Sequence, residues 1–98
     1  MKVTISNIAG GNRQTRTTLA SLARHSVDAP FGGWEIHECE GISERDARAV
    51  LVWATCYADD YRFCVGHYPR TAKEWEGIAD DAIATPLNCE EVCDVEQG

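Results

Sequence analysis

Ninety-eight residues make one domain with a single core, and leave little chain for an elaborate cofactor cleft besides. Sixteen acids against nine bases give a net charge of -7, all of it arising within residues 50–98, which is the wrong sign for a protein that binds nucleic acid directly. No stretch approaches the roughly 20 apolar residues of a bilayer span, and MKVTISNIAG lacks the apolar run of an export signal, so a cytoplasmic protein whose five cysteines are thiols is expected, with no membrane contact.

In KVTIS, Val3 and Ile5 alternate with Lys2, Thr4 and Ser6, the two-residue period of a strand with one buried face. Gly10 and Gly11 end it. From about Thr15 the spacing of Leu19, Leu22 and Ala23 predicts a helix running to about Ser26, followed by the loop VDAPFGG. WEIHECE predicts a second strand, Trp34, Ile36 and Glu38 on one face and Glu35, His37 and Cys39 on the other.

ISERDARAVLVWATCYADD is the strongest helix in the chain. Ser43 is placed to cap it, with Asp46 completing an S-x-x-D box. Val50, Leu51, Ala54, Tyr57 and Ala58 form an apolar stripe that Val52, Trp53 and Cys56 widen, so the helix should be central and covered on more than one side. YRFCVGHY alternates Tyr61, Phe63, Val65 and His67 with Arg62, Cys64, Gly66 and Tyr68 and predicts a third strand, closed by Pro69; Cys56 in the helix and Cys64 in this strand sit among apolar neighbours, where a thiol behaves as a small hydrophobe.

Thr71 and Glu74 make a second capping box, before Trp75, Ile78, Ala79, Ala82 and Ile83 at amphipathic-helix spacing. Gly77 weakens that helix by about 1 kcal/mol relative to alanine, and Pro86 marks its end. The acidic tail 86–98 is expected to be a turn of helix or a mobile end. The predicted order is β-α-β-α-β-α in a single domain spanning 1–98, a two-layer α+β (or small α/β) sandwich of a three-stranded sheet and about three helices.

Three chemistries can be weighed against this frame. IAGGNRQTRTT suggests a phosphate loop, but aligned from Gly10 it offers Thr15 where the second glycine must stand and Arg16 in place of lysine, so a Gly-Gly turn leading into a helix is the better reading, with Arg13 and Arg16 near an anion at most. His37 and Cys39, two apart on a strand, and Cys89 and Cys93, four apart on a helical turn, could together offer zinc a Cys3His tetrahedron; neither pair has C-x-x-C spacing, so a zinc-supported interaction module is the alternative and no metal or cofactor is expected. No nucleophile stands beside an oriented base, since Cys64 and His67 differ in strand parity, and a small enzyme ranks last.

What remains is acidic surface: Asp59 and Asp60 at the end of the central helix, Glu76, Asp80 and Asp81 on the outer side of the last one, and Glu90, Glu91 and Asp94 in the tail. Acids at a helix C-terminus oppose its dipole, a cost that hints at use. Through its size, its thiols and the acidic stretches WEGIADD and NCEEVCDVEQ, the chain resembles the anti-CRISPR class of small phage and mobile-element inhibitors. The resemblance implies a stoichiometric binder that occupies a basic nucleic-acid channel or recognition groove on a host protein complex, to which the carboxylates would be presented; a monomer or homodimer is expected.

Overall fold

The computed structural model describes residues 1–7, 12–28 and 33–84. Its elements are β1 (Lys2–Asn7), β2 (Arg13–Arg16), α1 (Leu19–Asp28), β3 (Trp34–Glu40), α2 (Glu44–Val65) and α3 (Ala72–Ala84). The class is α+β: a three-stranded antiparallel sheet, ordered β2-β1-β3, with helices packed on one face. The order of elements differs from the expected one in two places.

The third strand is β2, within a segment whose sequence pointed to a loop and helix start. RQTR has no apolar residue, and main-chain pairing with β1 holds it, Val3 opposite Arg16 and Ile5 opposite Gln14. Gln14 and Arg16 therefore lie on the inner side and bond to each other, while the Thr4 and Thr15 hydroxyls meet at 3.2 Å on the outer side. Gly10 and Gly11 lie outside the described residues; the next element after β1 is the antiparallel strand β2 and not a helix, so the strand–loop–helix layout of a phosphate loop is not built here. The first helix starts at Leu19, where the Thr18 hydroxyl accepts from the Ser21 amide at 3.1 Å.

The other difference is at 61–68, expected as a strand. α2 runs on through it to Val65, because Tyr61 continues the spacing of Ala54 and Ala58 on the inner face and no residue before Gly66 interrupts the helix. Gly66, at φ 102°, adopts the left-handed cap conformation and its N–H bonds to the Arg62 carbonyl at 2.8 Å. Phe63, Cys64 and Val65 are left exposed, so the alternation in this stretch does not mark a buried face.

Elsewhere local signals match the structure. Ser43 caps α2 and accepts from the Asp46 amide at 3.0 Å. At α3 the box is reciprocal: the Thr71 hydroxyl accepts from the Glu74 amide at 3.2 Å and the Glu74 carboxylate accepts from the Thr71 amide at 3.1 Å. The core joins Val3 and Ile5 of the sheet to Leu22 and Ala23 of α1, Val50, Ala54 and Ala58 of α2, and Trp75, Ile78, Ala79 and Ala82 of α3. As expected of a central helix, α2 packs against α1, α3 and β3. Two long-range bonds anchor the end of α1: the Trp34 indole donates to the His25 carbonyl at 2.8 Å, and the Thr55 hydroxyl donates to the Ser26 carbonyl at 3.0 Å.

Candidate protein-binding face

The outer side of α2 is a ridge. Arg45, Arg48, Val52, Cys56, Asp59 and Phe63 follow one another at steps of three or four residues, and each is exposed. Val52 is 42% exposed and Phe63 90%, the highest value among the exposed large hydrophobic residues. Cys56 and Cys64, expected to be small core hydrophobes, are both on the surface, because the helix turns its inner face through 54, 58 and 61 instead.

Asp59 and Asp60 are exposed, but they do not end the helix. They precede its last turn, which holds Arg62, so the expected conflict with the helix dipole does not arise at its terminus. Asp59 accepts from the Tyr68 hydroxyl at 2.7 Å, and the Arg62 guanidinium lies over the Tyr68 ring, 5.2 Å from its centroid. This link raises the Tyr68 phenol above its ordinary pKa, first through the hydrogen bond to Asp59. An acid, a cation and two aromatic rings thus surround the end of α2, with Phe63 the more exposed of the two rings.

Glu74 occupies the neighbouring turn. It accepts from the Tyr61 hydroxyl across the α2–α3 junction, from the Thr71 hydroxyl, and from the amides of Thr71 and Arg70. The Tyr61 bond first, then the Thr71 bonds, hold its carboxyl at about 2 against an ordinary 4.5. The same Tyr61 bond raises the Tyr61 phenol. Nothing in the residue pattern announces the Tyr61 tie, which needs the helical continuation of α2 to bring the phenol to the start of α3.

The acidic residues named from sequence are not all brought together. Glu76, exposed on α3, lines an open concavity of about 450 Å³ together with Asp46, Leu19, Ile42 and Ile83. That places it by the start of α2, about 20 Å of helix from Asp59. Asp80 and Asp81 are exposed on α3. Glu90, Glu91 and Asp94 lie outside the described residues.

The proposed zinc pairing fails at its first half. Thr4 stands opposite Glu38 and Ile5 opposite Ile36, so His37 is the extra residue of a β-bulge, and the side-chain alternation shifts across it. His37 sits on the outer face, its Nε2 2.7 Å from the Ser6 hydroxyl, whereas Cys39, opposite Val3, joins Trp34 and Ile36 against the core. Burial first, and Glu44 second, push the Cys39 thiol above its ordinary pKa, away from the thiolate a metal needs. Among the described residues no three His, Cys, Asp or Glu side chains gather to hold an ion; Cys89 and Cys93 lie outside them. Comparison of the chain with protein-family models, curated proteins and solved structures gives no match to any of them.

Proposed function

We propose that this chain is a stoichiometric binding protein, acting in the manner of the anti-CRISPR inhibitors, whose α2 end occupies a basic, nucleic-acid-binding surface on a host protein complex. The observation that carries the reading is Phe63, 90% exposed beside Asp59 and Asp60. An aromatic side chain held on a rigid helix and flanked by carboxylates combines the two features of a protein-binding hot spot against a cationic groove: an apolar anchor that fills a pocket, and charge that steers approach. The acidic excess of the whole chain adds to that steering, and binding weakens with salt because exposed charges are screened beyond about 8–10 Å.

Immobilised chain, wild type against Asp59→Lys/Asp60→Lys and against Phe63→Ala, tests this. Capture from a bacterial lysate of a nucleic-acid-handling complex is expected, released by added nucleic acid and weakened by about tenfold or more in either variant. Capture that nucleic acid does not compete, or that both variants leave unchanged, refutes it.

A further inference from the structure

We propose that the concavity between the first turns of α1 and α3 binds a single phosphate-type oxyanion, held by the guanidinium groups of Arg24 and Arg70. This cavity of about 210 Å³ is lined by Thr18, Ser21 and Arg24 from the α1 side and by Arg70 and Trp75 from the other. The two arginines come from segments far apart in sequence, in a chain with sixteen acids and nine bases, yet among the described residues neither enters an ion pair, whereas Arg45 pairs with Asp46 and Arg48 with Glu44. Glu74, four residues beyond Arg70, is engaged by Tyr61 and Thr71 and does not line the cavity.

Size and charge select the ligand. The cavity, at about 210 Å³, is ample for one phosphate-sized group and lies below the roughly 300 Å³ of pockets that enclose a whole organic ligand. Two guanidinium forks match the charge of a dianion and can each bond two oxygens of a tetrahedral oxyanion, whereas a carboxylate satisfies only one fork. The Thr18 oxygen already accepts from the Ser21 amide, so its own O–H remains available to donate, as does that of Ser21. Trp75, 6% exposed, gives the cavity a rigid apolar wall.

The test is titration of the ¹⁵N-labelled protein with sodium phosphate at neutral pH, against sodium chloride at equal ionic strength. Saturable amide shifts centred on residues 18–24 and 70–75 are expected with phosphate and not with chloride. Arg24→Gln and Arg70→Gln should each weaken phosphate by about tenfold, and Arg13→Gln, exposed on β2 and outside the cavity, should leave it unchanged. O-phosphoserine as a second probe separates the two sources of this chemistry: saturation by both supports an open site for phosphomonoesters, and saturation by phosphate alone supports a site for the free anion. Shifts that chloride reproduces, a loss in Arg13→Gln equal to that in the other two, or phosphate affinity indifferent to both Arg24→Gln and Arg70→Gln would overturn the assignment. All three arginines are solvent-facing, and far-UV circular dichroism of each variant confirms that the fold is retained.

Discussion

Truncating Leu22 should cost the fold far more stability than truncating Phe63, although the two residues are of similar hydrophobicity. Leu22 is 0% exposed in the core, where α1 meets the other helices. Leu22→Ala removes three carbons at about 0.8 kcal/mol each and leaves a cavity besides, a loss of about 3 kcal/mol. Against the roughly 5–15 kcal/mol that holds a domain of this size, that is a large fraction, and it should lower the melting temperature by about 12–24 °C. Phe63, 90% exposed, gives up almost no buried area, and alanine is the better helix former by a few tenths of a kcal/mol, so Phe63→Ala should stay within about 0.5 kcal/mol of wild type. Urea unfolding followed by tryptophan fluorescence measures both, with unchanged slope for each variant. A loss of about 2 kcal/mol or more in Phe63→Ala would mean that the ring is buried. Residues 61–65 would then form the strand that their alternation suggests, and the exposed anchor would be gone.

Ser43→Ala removes the oxygen that accepts from the Asp46 amide and should cost about 1 kcal/mol in the same assay; an unchanged midpoint would show that the cap contributes nothing. Gly66→Ala places a Cβ in open space at φ 102°, so its cost of about 1 kcal/mol is conformational, and Gly66→Asn, more tolerant of that region, should lose less; equal losses would argue against a left-handed cap. The Glu74 carboxyl, followed by NMR, should titrate at about 2 and move up toward 4.5 in Tyr61→Phe. Its pKa is depressed on folding, so the unfolded chain binds the proton more readily: the stabilisation is fully present above pH 4.5 and drains away as pH falls toward 2. A midpoint that Tyr61→Phe leaves in place would remove Tyr61 as the principal cause.

Much of the surface chemistry follows from contacts that no residue pattern announces. The acidic residues of α2 and α3 are recognisable as exposed because they fall between apolar positions of helical spacing, yet Glu76 of α3 lies by the start of α2 and Asp59 toward its end. The pair Arg24 and Arg70 was invisible, since only packing of α1 on α3 brings them to one cavity. Strand parity puts His37 and Cys39 on one face, and a single inserted residue undoes it.

Features whose causes are local are legible in the residues alone: strand β3 from Trp34 to Glu40, the caps at Ser43 and Thr71, and the buried stripe of α3. Each rests on bonds or periodicities within a few residues, which the chain carries wherever it is placed. Tertiary structure decided the rest. RQTR is a strand because β1 offers it main-chain partners, and YRFCV is helical because α2 gains more by continuing its inner face over α3, through Tyr61 and Glu74, than by starting a strand. Both outcomes depend on a neighbour distant in sequence, and a short segment with balanced local preferences takes the form its neighbour stabilises.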